Sequence, residues 1–129
     1  MVEYSEDYHA RAESTDNGDS WTANSRGEFD GPAPENYYAV TLTNCFVATL
    51  KVVADNSNQE YEKVAADGTL KLRPDDGNTV VDSFDLEVEF HVDSPSRKTE
   101  SVLKMTRRNC FILNSVDFPV NIEHTIVTD

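Results

Sequence analysis

The stretch TVVDSFDLEVEFHVD, residues 79–93, constrains the fold more tightly than any other part of the chain. Phe84, Leu86, Val88, Phe90 and Val92 fall on one side of an extended backbone, with Asp85, Glu87, Glu89, His91 and Asp93 on the other. An alternation this clean predicts a half-buried antiparallel strand, with core on one face and water on the other.

The remaining segments can be placed around it. Residues 61–75 (YEKVAADGTLKLRPD) lead into it through the turn sequence DDGN and read as the preceding strand. Nearer the N-terminus, residues 8–15 and 20–26 flank DNGD, whose Asn17-Gly18 pair is a strong hairpin signal. The loop GEFDGPAP then opens a helix expected from about Pro34 to Asp55, because Pro34 suits the first helical position and Glu35 the positive end of the dipole. From Ala39 to Ala54 this helix is apolar on most faces, with Lys51 its only charge, so it should be buried on several sides. A second helix is expected over residues 94–115, with Ser94 as N-cap, Pro95 at the first position, and Val102, Thr106, Cys110 and Leu113 on one stripe. PVNIEHTIV closes the chain as a strand with Val120, Ile122, His124 and Ile126 on a common face. The order is β-β-α-β-β-α-β, an α+β domain spanning residues 1–129 without internal repeats.

A formal charge of −13 argues against nucleic acid or an anionic membrane surface as a partner, since both need clustered Lys and Arg. The first twenty residues are acidic and lack the apolar core of a signal peptide, and no 18-residue apolar run is expected to span a membrane. The expected location is therefore the cytoplasm, where two cysteines stand as thiols rather than as a structural disulfide.

Those thiols, Cys45 and Cys110, each lie on the apolar stripe of an expected helix. Two readings stand side by side. They are two small buried hydrophobes, as free cysteines often are, or a peroxidatic and resolving pair brought together where the helices pack. In the second reading a thiolate attacks a peroxide, becomes a sulfenic acid and condenses with its neighbour. That chemistry needs a cation near the first sulfur and an acid to hold the cation; Arg26, Arg11 and Glu35 are the candidates. His9, His91 and His124 fall on separate expected strands without metal-ligand spacing, so no metal or other cofactor is expected. The chain has no Gly-rich phosphate loop and no G-x-S-x-G elbow. Arg97, Lys98, Lys104, Arg107 and Arg108 read as a solvated helix face.

With its segments in this order, the chain resembles the OsmC/Ohr family of osmotically inducible and organic hydroperoxide resistance proteins. The resemblance covers most of the chain. It is strongest at GPAPENYYAVTLTNCFVATL, with a Pro-Glu pair and ten positions from Glu35 to Cys45, and it recurs at RRNCFILNSVDFPVNIE. It implies two interlocked chains, a homodimer, and a Cys-based peroxidase that reduces organic hydroperoxides and is itself reduced by a dithiol such as a lipoyl group. By position, Cys45 would be the peroxidatic thiol, Cys110 the resolving thiol and Glu35 the carboxylate that positions an arginine. Arg26, in NSRGEFDG, matches the OsmC-type placement of that arginine and is favoured; Arg11 matches the Ohr-type placement. The chain departs from the family pattern where Phe111 replaces the usual proline after the second cysteine, and where Leu42, Thr43 and Asn44 replace small residues before the first. The loop before the Pro-Glu pair is also shortened.

Ten residues of α-helix rise about 15 Å, so Glu35 cannot reach Cys45 of its own chain if both lie on the first helix. The expectation is that Glu35 and Arg26 of one chain complete the site around Cys45 of the other. The alternative function is a small-molecule-binding or stress-associated dimer on the same fold, without peroxidase turnover.

Overall fold

The computed structural model describes residues 7–15, 21–26 and 34–128, and of residues 7, 8, 21 and 24–26 the backbone alone. In chain order the elements are β1 (Asp7–Thr15), β2 (Trp21–Arg26), α1 (Pro34–Asn56), β3 (Lys63–Asp75), β4 (Asn78–His91), α2 (Arg97–Asn109), α3 (Phe111–Asn114) and β5 (Val120–Val127). This is the expected α+β order, with one helix more. The Asn17-Gly18 turn and the loop over residues 27–33 lie outside the described residues.

The five strands form one sheet in the order β2-β1-β3-β4-β5. The β3–β4 hairpin closes through Asp76 and Gly77, both at positive φ (49° and 83°). Two consecutive positive-φ residues give the tight turn whose twist matches paired strands, and Asp-Gly is a favoured sequence for it. Toward this tip the ladder shifts register between Lys71 and Leu72.

The alternating face of β4 is as the sequence requires: Phe84, Leu86, Val88, Phe90 and Val92 are all buried. Its pairing needs one correction. β4 is antiparallel to β3 but parallel to β5, because the crossover through α2 and α3 returns the chain to the starting end of the strand.

α1 lies on the inner face of the sheet and buries Ala39, Leu42, Phe46, Val47, Leu50, Val53 and Ala54. It is drawn close by Gly68 on β3, where a β-carbon would collide with Thr43 Oγ1 and sit 2.7 Å from the Phe84 ring. Contrary to expectation, α1 does have the length and apolarity of a membrane span, with 23 residues and an 18-residue window averaging 1.3 in hydropathy. Tyr, Thr and Asn interrupt its apolar run without lowering the average far enough. Its packing is that of a core helix, although Tyr37 (64 % exposed) and Val52 (59 %) remain on its outer side.

The second helix differs from expectation at both ends. Its N-cap is Ser96, not Ser94, and Pro95 precedes the helix instead of opening it. Ser96 Oγ accepts from Lys98 N, and Thr99 Oγ1 accepts from Ser96 N at 3.0 Å, a reciprocal capping box. Ser94 would have Arg97 at the third helical position, and a guanidinium cannot accept that return bond. At the other end the helix breaks at Cys110 and resumes as the single turn α3. The stripe itself survives the break, with Val102, Thr106, Cys110 and Leu113 all buried.

Candidate functional site

α1 and α2 pack against each other, and their contact brings Cys45 Sγ to 3.2 Å from Cys110 Sγ. Both are free thiols, Cys45 partly exposed and Cys110 fully buried. The environments set the two sulfurs apart. Burial pushes the Cys110 thiol up to about 12, and its hydrogen bond to Cys45 and the charge Cys45 can carry push the same way. The Thr49 hydroxyl and the Leu113 N–H favour the Cys110 thiolate but do not offset these effects. At neutral pH Cys110 therefore holds its proton and can donate it toward Cys45.

Thr49 lies one turn beyond Cys45, and its hydroxyl donates to Cys45 O at 2.8 Å. It therefore braces the first cysteine's backbone while lying beside the second cysteine's sulfur. Its spacing of four from Cys45 puts it on the same helix face. That was the signal available in the sequence, and it needed the partner sulfur to acquire meaning.

Glu35 sits at the start of α1, far along the helix from Cys45. It lines a cleft of about 430 Å³ with Tyr38, Leu72 and Val81, between the first turn of α1 and the tip of the β3–β4 hairpin. One chain thus supplies the thiol pair in one place and the carboxylate in another. Beside Glu35, Asn36 is buried and its Oδ1 has no hydrogen-bond partner among the described residues; nothing in the sequence marked it.

The two candidate arginines have different standings. Arg11 is committed elsewhere: it donates to Asp67 Oδ2 at 2.6 Å and to Glu13 Oε2 at 3.2 Å. Its neighbours Ala10 and Ala12 are buried toward the core, so Arg11 projects from the sheet face opposite α1. Arg26 stands opposite His9 in the β1–β2 ladder, and its side chain lies outside the described residues.

The histidines occupy separate strands. His9 bonds Thr69, His91 is near Glu89, and His124 lies between Glu100 and Arg107. Among the described residues no group of three or more His, Cys, Asp or Glu is placed to hold a metal. Arg107 is more than a solvated charge, since it also donates to Ile122 O at 2.7 Å and ties α2 to β5.

The sequence family described as "OsmC-like protein" matches residues 26–125. No curated protein matches the chain. Among solved structures, an OsmC-like protein from Mycoplasma pneumoniae superposes with a TM-score of 0.66 at 19% identity, covering 91% of this chain and 95% of that one. The organic hydroperoxide resistance protein OhrB of Bacillus subtilis gives 0.61 at 20% identity, with 87% of each chain covered. An OsmC-like protein of unknown function from Vibrio cholerae gives 0.62 at 22% identity, covering 90% of this chain and 84% of that one. At these identities the likeness carries the fold.

Proposed function

Because this chain belongs to the OsmC-like protein family, we propose that it is a thiol-dependent peroxidase of organic hydroperoxides, with Cys45 peroxidatic and Cys110 resolving. The observation that carries the proposal is the 3.2 Å separation of two free thiols in unequal surroundings. The more exposed Cys45 meets the substrate, while Cys110, protonated and buried, waits behind it.

The chemistry runs in two balanced steps. The Cys45 thiolate attacks the outer oxygen of the hydroperoxide, forming an S–O bond as the O–O bond breaks. The alkoxide leaves with the electron pair and takes a proton to become the alcohol. Cys45 is then a sulfenic acid, oxidised by two electrons. Cys110 sulfur attacks Cys45 sulfur, the S–O bond breaks, and the departing hydroxide takes the Cys110 proton as water. The sulfurs must close from 3.2 Å to a bond of about 2.05 Å, a short movement. A dithiol, of which a lipoyl group is one example, reopens the disulfide by exchange. No cofactor is required, and a reducing cytoplasm suits the resting thiols.

The cation beside Cys45 is assigned to Arg26, held by Glu35, and both are assigned to the partner chain of a homodimer. The distance along α1 supports this, because about 15 Å separates Glu35 from Cys45 in one chain. Arg11, bound to Asp67 and Glu13, is set aside.

Cys45→Ser tests the assignment: turnover of cumene hydroperoxide should vanish. Retained peroxide consumption would reject the reading and favour a ligand-binding dimer on the same fold.

A further inference from the structure

α2 stops at Asn109 with neither proline nor glycine to stop it. Phe111 has a backbone N–H that could bond Arg107 O and carry the helix onward. Instead Cys110 adopts φ −79° and ψ 75°, which leaves the Arg107 and Arg108 carbonyls without the partners a continuing helix would give them. Asn114 supplies both: its Nδ2 donates to Arg107 O at 3.3 Å and to Arg108 O at 2.9 Å. Its backbone N–H meanwhile donates to Cys110 O at 3.0 Å, closing the turn around the cysteine. One exposed side chain thus spans the break, and the turn it closes seats Leu113 in the core against α1.

We propose that Asn114 is a positioning residue for the thiol pair: its carboxamide holds the break at Cys110, and the break fixes the Cys110 sulfur against Cys45. The catalytic meaning of this rests on the two-thiol reading above. The positioning itself does not, because two sulfurs held together form a disulfide with any suitable oxidant.

The inference requires that losing the carboxamide donors loosens the corner between α2 and α3 and lets the sulfurs drift apart. Asn114→Asp keeps the size and removes both donors; Asn114→Ala removes the group. Ser115→Ala is the control, since it deletes a bond to Phe111 O inside α3 that does not cross the break. Asn114 is exposed, so these variants should fold.

The reduced full chain is equilibrated with glutathione and glutathione disulfide. The two protein thiols give two electrons and two protons to glutathione disulfide, leaving the Cys45–Cys110 disulfide and two glutathiones. The exchange constant reports how well the sulfurs are held together. It should fall on the order of tenfold in both Asn114 variants, the expected scale for losing a pair of hydrogen bonds, with a Cys45–glutathione adduct accumulating. In Ser115→Ala it should be unchanged. Asn114 constants equal to wild type, a matching fall in Ser115→Ala, or no Cys45–Cys110 disulfide in the wild type would each overturn the inference. A wild type that closes the disulfide in glutathione, depends on Asn114 for it, yet ignores cumene hydroperoxide would uphold the inference and reject the peroxidase.

Discussion

Thr43 on α1 occupies the space that a β-carbon on Gly68 of β3 would need, so the helix meets the sheet there through the Thr43 side chain, with none from the strand at that position. The inner wall at that point is Phe84, and Thr43 is itself back-bonded to Ala39 O at 2.8 Å, which leaves neither neighbour free to yield. Gly68→Ala should therefore destabilise the fold by about 1–3 kcal/mol through overpacking. Urea denaturation measures this. A loss below about 0.5 kcal/mol, the scale of an ordinary surface change, would mean that the contact is looser than described.

The raised Cys110 thiol makes a prediction about alkaline pH. Its value is about 12 in the folded chain against an ordinary thiol value of 9.0. The unfolded chain therefore gives up this proton first as pH rises. The stabilisation from keeping Cys110 protonated is complete below pH 9 and is lost as the pH climbs toward 12. Between pH 8 and about 11, wild type should lose more unfolding free energy than Cys110→Ala does. Parallel pH profiles for the two proteins would contradict the assignment.

Across the outer face of the sheet, Asp67, Glu87 and Glu123 stand directly opposite one another on β3, β4 and β5, with Arg11 beside Asp67 at one end of the row. Like charges paired across strands are destabilising by a few tenths of a kcal/mol to about 1 kcal/mol. Glu87→Gln, at the middle of the row, should raise the melting temperature at low salt, and the gain should shrink as salt screens the repulsion. A gain independent of salt, or a loss at low salt, would show that the row is not under electrostatic strain.

The proposed sharing of one site between two chains can be tested by mixing. Chains carrying Cys45→Ser and chains carrying Glu35→Gln should each be nearly inactive as homodimers. Co-expressed, half of the dimers would be mixed, each with one complete site, and activity should recover to about a quarter of wild type. Activity no greater than the average of the parents would place Glu35 and Cys45 in the service of the same chain.

How much of this was legible in the sequence depended on periodicity. β4 and α1 could be read because burial imposes a period of two on one and a nearly continuous apolar surface on the other. The direction of β5 could not, since residues 120–127 alternate alike whether the strand runs parallel or antiparallel to its neighbour. The break at Cys110 was invisible for a different reason. No proline or glycine marks it, and the Asn114 bonds that span it link residues whose spacing looks unremarkable in a helix. The cap moved from Ser94 to Ser96 because the deciding residue was the acceptor three places on, Thr99, rather than the proline. At the site, the helix stripes left Cys45 and Cys110 open to two readings, and the family resemblance pointed to the pair. The separation of Glu35 from Cys45 followed from helix rise alone. The place of Arg11 did not, because an arginine's ion-pair partners depend on strand register, and register put Asp67 beside it.

The central claim is that Cys45 and Cys110 act together on a peroxide, and intact mass tests it most directly. The reduced protein is treated with one equivalent of cumene hydroperoxide and weighed before and after a dithiol. The account predicts the loss of two hydrogens, reversed by the dithiol and absent in Cys45→Ser. An unchanged mass, or a stepwise gain of oxygen atoms without loss of hydrogen, would contradict it.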